Sequence, residues 1–467
     1  MNFINTTCIR IPLQLEGESW CTTILQHLTR SGPSYENPDV MVTTKYYDKR
    51  DGHILIPRYY PVENYGHVVN RYIPDGKDID IEFNKEWRND LQKSGFEFLT
   101  QNDYGILKLP PGEGKTVIAI GAICKIKKKT IIFVHKDSLV TQWKERFLEH
   151  SDIKEEDIGI LTTDKCHDKF VKPIVLSTTQ TMVSMLQRVP NIETQLLNAG
   201  FGMAIWDECH TTAGAESYSK TSLYMPCKRH FGLSATPARA DKNHDVIGMH
   251  LGLVNEPEGE TNTMAPKVIM VKFDHKAVAH HKKYIYFGAP NKQGVTKNRF
   301  PKFDTARYLA MLTSTKNDTY IPYAQKIAKR AYQVGRVTLL ISDRIKVLDK
   351  IAPIIKNKSD VGFFIPRSKD KRDAALYKPF VFSTPGSSRD GTDRDELDCL
   401  IMANCISNIE QAIGRVCRFR PNKPQPIVFD FVDTGCEEMV DRAEWREDFY
   451  KKMVAEKGWE LEIKNLK

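Results

Sequence analysis

Short runs of β-branched and aromatic residues alternate along most of this chain with segments whose apolar positions recur every three to four residues. "TIIFVH", "PIVLSTT" and "FGMAIWDE" are of the first kind; "DSLVTQWKERFLEH" and "TMVSMLQRV" are of the second. Runs that are apolar at nearly every position imply strands buried on both faces, and the amphipathic segments between them supply the cover. Over residues 83–255 this predicts a parallel sheet flanked by helices. After the loop-rich stretch "VNEPEGETNTMAP" (254–266), a second α/β series follows over 256–436. It comprises "KVIMVKF", the helix "PYAQKIAKRAYQVG", the strand "RVTLLIS", then "KPFVFST", "LDCLIMA" and "QPIVFDFV". A charged helical tail occupies 437–467. Residues 1–82 differ: short alternating segments, turn signals at 50–52 and Pro57, and one helix near 20–29 predict a small α+β module.

Composition changes this picture little. Hydrophobic residues at 41% and charged residues at 27% describe an ordinary globular protein. Sixty-eight Lys and Arg against 59 Asp and Glu leave a net charge of +9, which suits a polyanionic partner without requiring one. Ten cysteines with no C-x-x-C pair argue against structural zinc and for a reducing compartment. No apolar run approaches the ~18–20 residues of a membrane span, and no signal-peptide pattern opens the sequence. A cytoplasmic protein (of a host cell, if viral) is expected. The lysine run 125–129 reads as the solvated end of a helix.

Four motifs carry chemistry. In "ILKLPPGEGKTVIAI" (106–120) an apolar strand runs into Pro111, Gly112, Glu113 and Gly114, and a helix begins at Lys115 and Thr116. Glycines let backbone amides close on phosphate oxygens, the helix N-terminus adds its dipole, Lys115 suits β/γ-phosphates and Thr116 suits Mg²⁺. Leu109 stands where the phosphate-loop pattern has glycine, so a plain strand–helix turn is the competing reading. "FGMAIWDECH" is an apolar strand ending in two acids. Asp207 would orient Mg²⁺ and Glu208 would polarise the attacking water, unless both simply cap the next helix. Strand neighbours point to opposite faces, so both acids can act together only where the strand ends. "GLSATPAR" (232–239) is a small-residue turn after a strand. In "IEQAIGRVCRFRP" (409–421), Gln411, Arg415 and Arg418 lie at i, i+4 and i+7, on one face of a predicted helix. They are either γ-phosphate contacts or a solvated face.

Taken in order, these motifs resemble the superfamily 2 helicases and translocases of the DExH group, with two tandem RecA-like domains, over about residues 83–435. The resemblance implies ATP and Mg²⁺ between those domains, with Lys115, Asp207, Glu208, Gln411, Arg415 and Arg418 as catalytic residues. It implies nucleotide contacts at Gln92, Gly391 and Asp393, besides the loop from Pro111 to Thr116. His210, Ser234 and Thr236 would couple hydrolysis to nucleic acid. "VHKDSLVTQW" (134–143), "STTQTM" (177–182) and "FSTPGSSRDGTDRDELDCLIMA" (382–403) would touch the nucleic-acid backbone at Lys136, Thr178, Thr179 and Thr384, and Ser342 and Arg344 would be further contacts. The layout is most similar to the phage branch-migration helicases of the UvsW kind. That implies an ATP-dependent DNA helicase acting on forks and junctions in phage replication and recombination, moving 3′ to 5′. An RNA helicase or transcript-release factor on the same chassis is the alternative. So is a non-unwinding nucleic-acid clamp, or the motor subunit of a restriction-type complex. In the first 82 residues, Lys45, Lys49, Arg50, Arg58 and Arg71 are interleaved with Tyr46, Tyr47, Tyr59, Tyr60, Tyr65 and Tyr72. These suit phosphates and splayed bases, or a small module's core. "HKAVAHHKKYIYF" (275–287) reads as a basic finger or a solvated hairpin. Cys209 is expected to pack against the core.

Overall fold

The computed structural model describes residues 2–5, 7–33, 41–162, 169–212, 216–235, 244–259, 263–274, 282–287, 298–313, 320–366, 372–389, 394–404 and 409–466. The chain divides into two units, Met1–Thr261 and Asn262–Lys467. The expected class is the one observed: two parallel sheets flanked by helices, behind a small α+β module.

The module contributes β1 (Asn2–Asn5), β2 (Ile9–Pro12), α1 (Ser19–His27), β3 (Thr29–Pro33), β4 (Met41–Lys45), β5 (Asp48–Arg50), β6 (His53–Ile56) and β7 (Val68–Arg71). Five strands form one sheet in the order β5-β6-β2-β1-β7, and β3 and β4 form a separate hairpin. Helix α1 buries Cys21, Ile24 and Leu25, three positions of one helical face, beneath Ile9, Ile11, Ile54 and Ile56.

The rest of the first unit runs α2 (Asp90–Gln101), β8 (Tyr104–Lys108), α3 (Lys115–Ile126), β9 (Thr130–Val134), α4 (Asp137–His150), β10 (Ile158–Ile160), β11 (Ile174–Thr178), α5 (Thr179–Arg188) and α6 (Ile192–Ala199). It continues through β12 (Met203–Asp207), α7 (Cys209–Thr212), α8 (Glu216–Tyr224), β13 (Arg229–Ser234), α9 (His244–Leu251) and β14 (Val254–Asn255). The strands are parallel in the order β10-β11-β9-β12-β13-β8-β14. Alternate residues feed two cores, one on each face. Ile131, Phe133, Ala204 and Trp206 join one; Ile132, Val134, Met203 and Ile205 join the other. This two-sided burial is why these strands read as unbroken apolar runs.

The module is bonded to the connection between α8 and β13 and packs against α9. Arg58, 2% exposed, donates through Nη1 to Cys227 O (2.7 Å), through Nη2 to Met225 O (2.9 Å) and through Nε to Thr7 O (2.9 Å). Val246 of α9 sits in the module's core, and Arg30 pairs with Asp245 at 2.8 Å.

The second unit contains β15 (Lys267–Phe273), β16 (Lys282–Phe287), β17 (Asn298–Phe303), α10 (Thr305–Leu312), α11 (Tyr320–Gln333), β18 (Thr338–Ile341), α12 (Ile345–Ile351), β19 (Val361–Phe364) and α13 (Arg372–Leu376). It ends with β20 (Phe380–Ser383), α14 (Pro385–Arg389), β21 (Cys399–Met402), α15 (Ile409–Val416), β22 (Ile427–Asp433), α16 (Glu437–Lys457) and β23 (Glu460–Asn465). Its parallel sheet has the order β19-β20-β18-β21-β22-β15-β23, while β16 and β17 form a separate hairpin. The charged tail is more than a helix: β23 continues it and pairs with β15. Helix α16 is pinned to β22 by a buried bidentate pair, Arg446 Nε to Asp430 Oδ2 at 2.7 Å and Nη2 to Oδ1 at 3.1 Å. Tyr450 adds its hydroxyl to the same carboxylate at 3.0 Å.

Candidate active site

In the first unit, β12, β13 and β8 are neighbours, and three motifs leave their carboxyl ends. The register sets Asp207 beside Leu233 and Ser234 beside Lys108, so the acids, the Ser-Ala turn and the glycine loop emerge together. Ligands in open α/β sheets bind outside this edge. Loop 109–114 turns through Gly112 (φ 89°) and Gly114 (φ 82°), a backbone region costly to side-chain-bearing residues. A Cβ at Gly114 would also come within 2.7 Å of Gln92 Nε2. Leu109 explains the departure from the usual pattern. It is buried in the core, its N–H donates to Ser234 O (3.2 Å), and its carbonyl accepts from Lys115 Nζ (3.2 Å). The loop is thereby anchored at its entry, and the lysine is held within it.

Gln92 and Arg88 brace this loop from α2 and the residues before it. Gln92 Nε2 donates to Glu113 O (2.9 Å), its Oε1 accepts from Arg88 N (3.0 Å), and Arg88 Nη2 reaches Gly112 O (3.2 Å). Gln92 is 1% exposed, with both ends of its amide engaged. Arg88 was not among the expected site residues.

The acids behave as the strand's end requires. Asp207 has the parity of Met203 and Ile205 and faces their core, where Trp143 Nε1 donates to its Oδ2 at 2.7 Å. Glu208 N donates to Asp207 Oδ1 at 2.9 Å. At Glu208 the backbone turns left-handed (φ 46°), which breaks the alternation that would have sent its side chain to the opposite face. Burial, and next the Glu208 charge, raise the Asp207 carboxyl to about 6. His210 Nδ1 lies 3.4 Å from Glu208 Oε2 and shares a 2.7 Å hydrogen bond with Ser234 Oγ, so β12 and β13 are joined through that ring. Cys209 is fully buried against Gly232, and desolvation raises its thiol, an inert packing position. The Thr116 hydroxyl and the Asp207 carboxylate are hard oxygen donors of the kind Mg²⁺ takes alongside phosphates. Among the described residues no cluster of three His, Cys, Asp or Glu could hold a metal.

Further along the same edge, Lys136 is the N-cap residue of α4. Thr178 caps α5 by accepting from Thr181 N (3.1 Å), and the Thr179 hydroxyl donates to Val134 O (3.0 Å). Thr236, Gly391, Asp393 and most of the basic part of 275–287 lie outside the described residues.

In the second unit the strand ends are tied to one another. Ser342 N donates to Ser383 O (3.1 Å), Arg344 N to Ser342 Oγ (3.3 Å), and Asp343 and Asn404 exchange two bonds of 3.0 and 2.8 Å. The Arg344 guanidinium donates to Ala306 O, and Thr384 caps α14 by accepting from Ser387 N (3.3 Å).

Two expectations need correction, and one open alternative is narrowed. Gln411 and Arg415 lie on α15, but Arg418 does not share its face: the helix ends at Val416, and Arg418 bridges to Thr263 and pairs with Asp395 at 3.4 Å. Lys423 fixes this departure by donating to Arg418 O (2.7 Å), and burial lowers its ammonium to about 8. The lysine run is not simply a solvated helix end. Lys128 pairs with Asp75 and Asp78 at 2.9 and 2.8 Å, and Lys129 is buried, bonded to Phe170 O and set over the Phe201 ring. Within the module, Arg58 is a structural brace, Tyr46 and Tyr60 are core, Lys49 pairs with Glu16, and Arg50 pairs with Glu193 (3.0 Å). Lys45 and Tyr72 stay exposed; the Arg71 side chain lies outside the described residues.

Residues 75–239 match the family described as type III restriction enzyme, res subunit. A protein of Acanthamoeba polyphaga mimivirus, named as an ATP-dependent RNA helicase, is 25% identical over 87% of this chain and 76% of its own length. One of Escherichia phage T5, named as a helicase, is 26% identical over 72% and 69%. One of Haloarcula marismortui, named as a Rad25 DNA 3′–5′ helicase, is 28% identical over 41% of this chain and only 28% of its own length. Among solved structures, S. cerevisiae Dbp5 bound to RNA and ADP BeF3 shares the fold, with a TM-score of 0.54 at 10% identity over 81% of this chain and 90% of that one. T4 UvsW aligns over 100% and 99% at 18% identity, but its TM-score of 0.36 is too low to speak for the likeness. The motif order, the paired parallel sheets and these relatives agree: the chain is similar to the superfamily 2 helicases, a likeness that implies nucleotide-dependent work on nucleic acid.

Proposed function

We propose that the chain is an ATP-dependent DNA helicase or translocase that acts on branched DNA, moving 3′ to 5′, in phage replication and recombination. The observation that carries the ATPase part is the convergence of the Gly112–Gly114 loop, Lys115 and the Asp207–Glu208 pair on adjacent strand ends. In this reading the loop amides and the α3 N-terminus hold the phosphates, and Lys115 leaves Leu109 O to neutralise β/γ-phosphate charge. Thr116 and Asp207 hold Mg²⁺, whose charge would offset that on the phosphate oxygens. Glu208, turned out of the strand, orients the attacking water and accepts its proton. Arg415 and Arg418 stabilise charge on the γ-phosphate, assisted by Gln411. His210, Ser234 and Thr236 relay the nucleotide state, and Lys136, Thr178, Thr179, Ser342, Arg344 and Thr384 face the nucleic-acid backbone. Gly391 and Asp393 complete the nucleotide contacts. Gln92 both braces the loop and contacts the adenine.

Backbone contacts carry little sequence information, so the enzyme should select by structure. The Rad25-named relative supports the DNA reading and its polarity. The mimivirus relative's name supports a second reading, an RNA helicase. Turnover and strand separation on single strands, forks, four-way junctions and RNA duplexes decide between them. Forks and junctions are expected to stimulate most. Stimulation by RNA alone would sink the DNA reading, and turnover without separation on every substrate would leave a clamp or motor subunit.

A further inference from the structure

We propose that Trp143 is a positioning residue that fixes the carboxylate plane of Asp207, linking helix α4 to the metal-facing acid; this rests on the proposed role of Asp207. The sequence gives Trp143 no chemistry of its own, yet its indole N–H ends 2.7 Å from Asp207 Oδ2, 64 positions away in the chain. Trp143 is 1% exposed and Asp207 9%, and the bond between them is itself buried, so water competes little for it.

The chemistry of the pair is asymmetric in a useful way. A carboxylate's terminal torsion is broad and roughly two-fold, so burial alone leaves Asp207 free to rotate. One donor on each oxygen removes that freedom: Glu208 N holds Oδ1 at 2.9 Å and Trp143 holds Oδ2. Each oxygen keeps a second lone pair for a cation or its water. Indole has a donor and no acceptor lone pair, so its N–H cannot coordinate a metal ion, and it carries no charge that would compete with one. A histidine, lysine or asparagine at this position would fail one of those conditions.

The donor also rides on an informative element. Helix α4 starts at Asp137, directly after Lys136, and Trp143 packs on Phe147 of the same helix. A displacement of α4 by backbone contacts at its N-terminus would therefore carry the indole with it and turn the Asp207 carboxylate. The bland alternative is a core tryptophan that merely found an acceptor. That alternative predicts effects on stability but none specific to the cation.

The test measures binding of a fluorescent N-methylanthraniloyl ATP to the full chain, in EDTA and at increasing Mg²⁺. Trp143→Phe keeps most of the packing and loses the donor. Site-specific 3-benzothienyl-alanine at position 143 keeps the bicyclic ring and also lacks the N–H. Both should leave affinity in EDTA unchanged and weaken the Mg²⁺-dependent tightening by about 10-fold or more, the scale on which such orienting partners act. Asp207→Asn should abolish the tightening, and Trp143→Phe in that background should add nothing. Full tightening with the benzothienyl analogue overturns the proposal. So does an equal loss of affinity with and without Mg²⁺, which would mark general loosening. Undiminished tightening in Asp207→Asn alone has a different signature: it removes the metal assignment itself and the Trp143 role with it.

Discussion

Each unit has a parallel sheet of seven described strands buried on both faces, yet the two carboxyl edges are built differently. In the first unit that edge holds glycines at positive φ, a left-handed Glu208 and a carboxyl raised by burial and then by the Glu208 charge. In the second, Ser342, Ser383, Asp343 and Asn404 bond to one another across adjacent strand ends. The one non-glycine there at positive φ among the described residues is Asn422, in a loop. Of the two edges, the one proposed to carry hydrolysis thus holds the strained backbone, and the one proposed to face nucleic acid is fixed by hydrogen bonds between its strand ends. The shared fold supplies an edge; the residues placed on it decide its use.

That contrast can be broken in several places. Glu208→Gln should lower nucleic-acid-stimulated turnover about 10²–10⁴-fold, the range a general base contributes, while nucleotide binding and the unfolding midpoint stay near wild type. Normal turnover would mean the strained edge is not catalytic. Arg446→Ala leaves Asp430 buried and unpaired and should destabilise the second unit by about 3–5 kcal/mol in urea unfolding. ATP-analogue binding should survive this change; its loss would show that the two units are not separable in this way. Acid should weaken the first unit. His250 is buried and its ring is lowered to about 3, and His230 is lowered by burial as well. Below about 6.5 the unfolded chain therefore takes up protons that the native rings refuse, and stability falls with falling pH. One such ring costs about 1.4 kcal/mol at pH 5.5. His250→Gln should flatten the dependence of the unfolding midpoint between pH 7.5 and 5.5. The smallest change is expected for Cys209→Ala, about 1 kcal/mol of stability from a small cavity, with turnover retained. A large loss of turnover there would make the opposite face of β12 part of the chemistry.

What was legible in the sequence was local. The apolar runs of β9, β11 and β12 announce strands buried on both faces, and "DSLVTQWKERFLEH" coincides with α4. Lys115 and Asp207 stand out because their motifs lie within a few residues of a strand end. What was not legible is settled by distant partners. Nothing near Trp143 names Asp207 as its acceptor, and nothing near Arg58 announces that the carbonyls of Met225 and Cys227 will take its guanidinium. Strand β23, "ELEIKN", alternates charge with few apolar residues, and only its neighbour β15 makes it a strand. Arg418 lies beyond the end of α15, where its carbonyl accepts from Lys423 and its backbone bridges to Thr263, partners distant from the motif.

The place of β15 has a consequence for how the protein is made. This strand opens the second unit, yet its two neighbours in the sheet, β22 and β23, are among the last segments to be synthesised. The first unit's sheet has all of its strands by Asn255, so it can fold while the ribosome is still translating. During that interval β15, apolar along most of its length, has both edges unpaired, a template for pairing with the wrong chain. A nascent chain stalled before residue 460 would keep one of those edges bare. Aggregation during expression should therefore track translation pauses late in the message rather than early ones.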